Sequence, residues 1–500
     1  MPISKDFHSR VVVIGAGFSG LSCACHLAQK GYKVTLLEKN EQPGGRARVY
    51  KEKGFTWDMG PSWYWMPDVF DKFFDGFGKK TSDYYTIDRL DPSYTVKFKN
   101  DTLNIPAKME ELEALFESIE AGSSKKLRSF LKQAEYKYEV GVKKLVYKPS
   151  RSLLEFIDLQ LLMGLVKMDV FTSIAKHVRK HFKDERLIQL MEFPILFLGA
   201  TAENTPALYS LMNYADLSLG TWYPKGGMNA VVQGMVKLSE ELGVEIRLSE
   251  EVKGFEFIGK DVSKVVTDQS SYECAAVVAG ADYHHVDQKL LPPKFQNYSS
   301  RYWDKRTLAP SSLLFYIGVD KRLPKLEHHT LFFDEDFKLH AEEIYADPKW
   351  PTKPLLYVSA TSKTDNTVAP EGMENLVVLI PVAPDIDDTP EIREKYYEII
   401  MTRLEAYVGE SIRDSVIVKR SYAHRDFIED YHSFKGNAYG LANTLRQTAI
   451  LKPSLKNKKL NNLFHTGQLT VPGPGVPPSL ISGEVVANEV AKEFPIFTAE

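Results

Sequence analysis

Cysteine is nearly missing from this chain, with three among 500 residues, and three thiols cannot build a disulfide framework. Cys23 and Cys25 stand two apart in a helical pattern and point different ways, so with Cys274 they read as small core residues of a reducing compartment. An excess of one charge is missing too. The net charge of −3 gives no basic surface for nucleic acid, and no nucleic-acid partner is expected. No run reaches the ~20 uninterrupted apolar residues that cross a bilayer. The longest candidate, Leu153 to Met168, is broken by Glu155, Asp158 and Lys167. The opening MPISKDFHSR lacks the apolar segment of a secretion signal and leads straight into a strand pattern, so a cytoplasmic location is expected. Internal repeats and low-complexity tracts are also lacking. What remains is an ordinary globular composition, 43% hydrophobic and 26% charged, on a chain longer than one core usually serves.

The strongest positive signal is VVVIGAGFSG at 11–20. A β-branched run, Val11 to Ile14, meets a glycine turn, and a helical pattern follows through Leu21, Cys25 and Leu27 to a stop at Gly31. A second strand is expected over Lys33 to Leu37, ending at Glu38. In such a βαβ unit Gly15 allows the sharp turn, Gly17 lets a pyrophosphate approach the backbone, and Gly20 permits close packing of helix on strand. The helix start offers N–H groups and positive dipole to phosphate. Glu38 is placed to accept from ribose hydroxyls and would repel a 2′-phosphate, so FAD or NAD fits and NADP does not. The stretch KNEQPGGRARVY then sets Gly44, Gly45 and Arg46 as a second phosphate site, which an NAD dehydrogenase does not need. Gly60, Pro61 and Ser62 in FTWDMGPSW form a rigid turn suited to a planar ring.

Further along, helical patterns make about 82–220 mainly α. The stretch CAAVVAGAD, from Cys274, is another apolar strand ending in Gly-Ala-Asp, and NNLFHTGQLTVPGPGVPPSLISGE reads as strand, loop and helix. The simplest assembly is one nucleotide-binding domain in three pieces, 1–81, 223–300 and 416–500, interrupted by two pieces of a second domain, 82–222 and 301–415.

The segments VVVIGAGFSGL with EKNEQPGGRA, FTWDMGPS, WYPKGGMNAVVQGM and NLFHTGQLTVPGPGVPPSLISGE together resemble the flavin-dependent carotene desaturases of the bacterial and fungal phytoene desaturase type. Wider relatives are the amine oxidases and carotene isomerases. The resemblance implies an α/β fold: a Rossmann-like, amine-oxidase-like FAD-binding domain with an inserted α+β substrate domain and a helical membrane-facing region. It implies FAD contacts from the two N-terminal motifs, Phe18, Ser19 and Lys39 included, and from Val252 through its backbone near the adenine. It also implies a C-terminal loop over the flavin, carrying Gly467, Gln468, Thr470, Gly475, Val476 and Pro477. Many flavoproteins of the wider group have Gly-Asp where this chain has Gly467-Gln468; glutamine can still hydrogen-bond there.

The chemistry so implied is hydride transfer from an allylic carbon to the flavin, then proton loss from the adjacent carbon, which yields a conjugated double bond. Asp158 and Asp216 are the carboxylates placed to steady the cation or take the proton. The polar cluster His424, Arg425 and Asp426 reads as a structural ion pair. A polyene substrate lives in lipid, so peripheral docking on the cytoplasmic membrane is expected, with Leu153 to Met168 and the basic stretch Lys176 to Lys183 as an interfacial pair. The electrons would pass to a quinone or to oxygen. Also open are a desaturase of a hydroxylated carotenoid, a carotene isomerase, an amine oxidase with Trp63, Tyr64 and Trp65 as an aromatic cage, and a prenyl-lipid-binding module without FAD.

Overall fold

The glycine turn sits at the centre of a five-stranded sheet in a computed structural model that describes residues 7–152, 155, 172–198 and 201–496. Arg10–Ile14 lies between Lys33–Leu37 and Ala276–Ala279, with Glu245–Arg247 and Leu463–His465 at the edges. Every pairing is parallel, and the central strand is buried from Val11 to Ile14. Burial on both faces explains why these strands read as unbroken apolar runs and not as an alternation. The sheet thus draws strands from the start, the middle and the end of the chain.

Two helices lock the start to the end. Phe18–Gln29 begins two residues before the expected Gly20, because Gly17 at its N-cap is already extended. The C-terminal helix Val476–Glu493 packs directly on it. A Cβ at Gly483 would lie 2.5 Å from the Ser19 carbonyl oxygen and 2.7 Å from the Cys23 nitrogen, so only glycine allows this contact. The Ser22 hydroxyl donates to the Leu480 carbonyl at 2.7 Å across the same seam.

A seven-stranded mixed sheet forms the second layer, in the order Val416–Tyr422, Ser311–Val319, Glu374–Val382, Leu356–Ser359, His329–Phe333, Tyr94–Phe98, Thr102–Ile105. Alternation sorts its faces. Phe315, Ile317, Val358 and Ile380 pack on the helix Pro390–Val408 through Ile400, Met401 and Leu404. Leu314, Tyr316, Leu331, Tyr357 and Leu379 face the other way and join the core of the N-terminal layer. The described part of 82–220 is mainly helical, as expected, and the strands Ile87–Arg89, Tyr94–Phe98 and Thr102–Ile105 are what the sequence pattern did not show. They are three to five residues long, too short for a periodicity to register, and two of them are held by pairing with distant residues.

Among the described residues no helix is long and apolar enough to cross a membrane. Apart from Glu155, the apolar stretch Leu153 to Met168 lies outside the described residues, and Asp158 with it. Its expected basic neighbour is the helix Ile174–His181, which buries His177 and Val178 and exposes Lys176, Arg179 and Lys180.

Candidate active site

A cavity opens at the carboxyl ends of the parallel strands, where Ile14, Leu37, Gly280 and Gly467 border it. This is where an open α/β sheet offers a ligand crevice. Gly15, at φ +94°, turns the chain out of the central strand, and its N–H donates to the Leu37 carbonyl at 2.7 Å. A Cβ at Gly20 would strike the Gly15 carbonyl oxygen at 1.9 Å, which is the close helix-on-strand packing that the spacing implied. Gly17 is the contrasting case. It borders the cavity, and a Cβ there would meet nothing within 4 Å, so the backbone faces open space of the kind a phosphate would occupy. Phe18 and Ser19, which open the helix, border the same space.

The second glycine pair closes on the first. The Gly44 N–H donates to the Ala16 carbonyl at 2.7 Å, and a Cβ at Gly45 would lie 3.3 Å from the Gly17 Cα. Both take positive φ, +111° and +55°. Arg46 follows on the cavity wall. Its Nη2 donates to the Ser433 hydroxyl at 3.1 Å and to the Asn437 carbonyl at 3.3 Å, but its Nε is buried without a partner among the described residues. Burial lowers the Arg46 pKa, against the pull of nearby Asp282. A buried guanidinium with a donor to spare, beside two glycine backbones and a helix start, fits an anionic diphosphate.

Glu38 braces this loop as well as bordering the cavity. Its Oε2 accepts from the Ala16 N–H at 2.8 Å, and its Oε1 accepts from the Asn40 N–H at 2.9 Å and the Asn40 side-chain amide at 3.0 Å. Oε2, with one bond made, keeps acceptor capacity for a ribose hydroxyl. The Lys39 ammonium donates to the Glu429 carbonyl. Val252 reaches the wall beside Glu250 and Glu251.

Gly60 and Pro61 line the wall toward the seven-stranded sheet, while Ser62 stands just behind them with its hydroxyl 3.5 Å from the Gly60 carbonyl. On the C-terminal loop Gly467, Gln468, Gly475 and Val476 border the cavity. Thr470 does not; its buried hydroxyl donates to the Gly467 carbonyl at 2.8 Å and holds the loop's shape. Pro477 lies in the first turn of the C-terminal helix, away from the wall. The Gln468 amide donates to Asn437 Oδ1 at 3.3 Å, a neutral contact where an aspartate would bring a charge.

Several wall residues have no counterpart among the sequence expectations. Gly280, Ala281 and Asp282 follow the strand Ala276–Ala279, and the Gly-Ala-Asp ending of that strand was the available signal. Burial raises the Asp282 carboxyl to about 6. His285 and His432 border the cavity stacked at 3.9 Å, with His432 Nε2 2.9 Å from Glu251 Oε1. Burial lowers both imidazoles, His285 to about 3, so they are mainly neutral at neutral pH. Leu314, Leu379 and Tyr439 form the apolar end of the wall. No local motif marks any of these five.

Asp216 stands apart from this cavity. It is 2% exposed within the segment Ala215–Leu219 and caps no helix end. The Tyr94 hydroxyl donates to its Oδ2 at 2.7 Å and the Thr221 hydroxyl to its Oδ1 at 3.3 Å, while the Trp65 indole N–H donates to Thr221 at 2.8 Å. Burial raises the Asp216 carboxyl to about 7 against those two hydrogen bonds. Both carboxylate oxygens are thus engaged by side chains of the protein. The Trp63, Tyr64 and Trp65 cage does not form at the cavity either. Trp63 stacks on His329 at 4.2 Å, the Tyr64 hydroxyl meets that of Tyr85 at 3.0 Å, and none of the three borders the wall. The His424, Arg425 and Asp426 cluster is structural: Asp426 pairs with Arg393 at 2.7 Å and His424 Nε2 lies 2.8 Å from the Ala383 carbonyl.

The family described as flavin containing amine oxidoreductase matches residues 18–491. A carotenoid 3,4-desaturase of Haloarcula japonica is 41% identical, over 97% of this chain and 98% of its own length. A zeta-carotene-forming phytoene desaturase of Myxococcus xanthus is 31% identical, over 96% and 93%. Among solved structures, a CLA-producing fatty acid isomerase from P. acnes superposes with a TM-score of 0.62 over 98% of this chain and 99% of that one, at 13% identity, which speaks for the fold alone. The chain belongs to the carotene desaturases of the flavin-containing amine oxidoreductase family. It is an FAD-dependent oxidoreductase, and the cavity's donors and glycine backbones fit that cofactor.

Proposed function

We propose that this enzyme desaturates an acyclic carotenoid precursor in carotenoid biosynthesis, removing a hydride and a proton from adjacent carbons to leave a new conjugated double bond. The observation that carries this reading is the 41% identity to a carotenoid 3,4-desaturase across nearly the full length of both chains. FAD, when bound, supplies the hydride acceptor. The protein's part is to hold and to exclude. Gly17, Gly45 and Arg46 bind the diphosphate, Glu38 takes the ribose, and the helix start at Val476 turns its positive end toward the cavity. The apolar face of the seven-stranded sheet, with Leu314 and Leu379 at the wall, keeps water from the reacting carbons. Because the substrate is a hydrocarbon chain, orientation matters more than an initial base, and a buried, already engaged Asp216 is consistent with that.

The enzyme docks peripherally on the cytoplasmic face of a membrane, from which the polyene enters, and a quinone or oxygen takes the electrons. The exposed Lys176, Arg179 and Lys180 support such docking by their charge. Expression in a host accumulating phytoene or lycopene tests the reaction: pigments with longer chromophores are expected, and an unchanged pigment profile with flavin-loaded protein present refutes it. A second reading is that the double bond is introduced at the 3,4 position, near the end of the polyene; the 41% identity to the carotenoid 3,4-desaturase, against 31% to the phytoene desaturase, favours it.

A further inference from the structure

Hydride departure from an allylic carbon takes the hydrogen and both electrons of its C–H bond, so a positive charge stays on the polyene. The apolar end of the cavity has to bear that charge. Leu314 and Leu379 are aliphatic there, and Ser312, two residues before Leu314 on the same strand, is neutral. A carboxyl would serve poorly, because burial in this protein pushes such groups toward the protonated form: Asp216 is raised to about 7 and Asp282 to about 6. An aromatic ring is the alternative. Its face carries negative potential without a formal charge to desolvate.

Among the described residues, the phenyl and phenol rings that border the cavity are those of Phe18, Phe427, Tyr431 and Tyr439. Phe18 opens the helix at the phosphate turn. Phe427 packs edge-on against Tyr422 at 5.0 Å, and Tyr431 lies under the guanidinium groups of Arg46 and Arg48 at 5.1 and 5.2 Å. Tyr439 is the ring that stands with Leu314, Leu379 and Ser312. Its hydroxyl lies beside that of Ser312, which ties the tip of the side chain to the seven-stranded sheet, and burial raises its pKa, so it is a neutral phenol. The loop that presents the ring is fixed on both sides. The Gly440 N–H donates to Asn437 Oδ1 at 2.8 Å, and the Gly440 carbonyl accepts from the Ala309 N–H at 2.8 Å. The Asn437 carbonyl accepts from Arg46, so the loop is also joined to the wall that fits the diphosphate.

We propose that Tyr439 is a catalytic residue of the desaturation, its ring lying along the reacting carbons and steadying the positive charge that hydride transfer leaves on the polyene. This rests on the desaturase reading above. The hydrogen and its electron pair go to FAD as hydride, and Tyr439 exchanges neither proton nor electron in the step. A cation–π contact withdrawn from water is strong enough to change a rate about tenfold or more. Leucine at the same place would fill the space and give none of that effect.

The test is anaerobic, single-turnover bleaching of the flavin absorbance band, with flavin-loaded enzyme and phytoene or lycopene in phosphatidylcholine vesicles. Wild type is expected to bleach. Tyr439→Leu should bleach about tenfold more slowly, while flavin content and polyene binding, read by quenching of tryptophan emission, stay close to wild type. Tyr439→Phe keeps the ring and should retain most of the rate. The decisive series places phenylalanine and its mono-, di- and trifluorinated forms at position 439, which hold the shape of the ring and withdraw electron density from its face step by step. The logarithm of the bleaching rate should fall steadily along that series at an unchanged melting temperature. A constant rate along the series overturns the proposal even where Tyr439→Leu fails to fold. A Tyr439→Phe as slow as Tyr439→Leu overturns it too, since the hydroxyl would then be the active part. If neither polyene bleaches the wild-type flavin, the desaturase reading itself falls, and the role of Tyr439 with it.

Discussion

Replacing Asp216 by asparagine should change how stability depends on pH. Burial raises this carboxyl from its ordinary 3.8 to about 7. Between those values the native state holds a proton that the unfolded chain has released, so stability falls as pH rises through the window and levels off above it. From pH 5 to pH 7 that is about two pH units, or about 3 kcal/mol at 1.36 kcal/mol per unit. Asparagine does not titrate, keeps an acceptor for the Tyr94 hydroxyl, and presents its amide to Thr221. For a chain of 500 residues the unfolding entropy is roughly 1 kcal/mol per degree, so 3 kcal/mol is worth about 3 °C. Thermal melts of the two proteins at pH 5 and pH 8 provide the assay. The difference in Tm between Asp216→Asn and wild type should move about 3 °C in the variant's favour on going to pH 8. A difference constant within 1 °C would refute the reasoning, since it would mean that the buried carboxyl is ionised throughout.

Gly17→Val should separate the cavity from the scaffold: the backbone is extended there and a Cβ meets nothing, so melting of the flavin-free protein should stay within about 2 °C of wild type while flavin content, read by absorbance, falls at least tenfold. Arg46→Met should reduce flavin retention on dialysis more than it lowers the melting temperature, because besides two bonds to Ser433 and Asn437 it removes a buried Nε donor with no partner among the described residues. Gly483→Ala should do the reverse, costing about 3 kcal/mol of stability through overpacking of the two helices, visible as a lower melting temperature in flavin-free protein. Glu38→Ala should weaken both properties, since its carboxylate braces Ala16 and Asn40 as well as bordering the cavity.

The part of the site legible in the sequence was the part whose physics is local. A β-branched run, a turn that only glycine can make and an amphipathic helix are all decided within twenty residues or so, and Gly15, Gly17 and Gly20 play distinct roles that their spacing implied. The opposite wall is assembled from a distance. His285 and His432 stack across more than a hundred residues of chain, and Leu314 and Leu379 meet only because their strands pair. The aromatic run at 63–65 shows how composition misleads: it suggested a ligand cage, and its rings instead join the packing between the two sheets. Asp216 is one of the two carboxylates the sequence offers, and the structure buries it. Its partner Tyr94 lies on one of the short strands that periodicity does not reveal.

The edge strand Leu463–His465 carries a consequence for biosynthesis. It completes the parallel sheet beside Ala276–Ala279, and the loop and helix that follow it close the cofactor cavity against residues made at the very beginning. A ribosome must therefore translate past the helix Val476–Glu493 before the nascent polypeptide can retain its flavin, and products stalled short of it should emerge colourless.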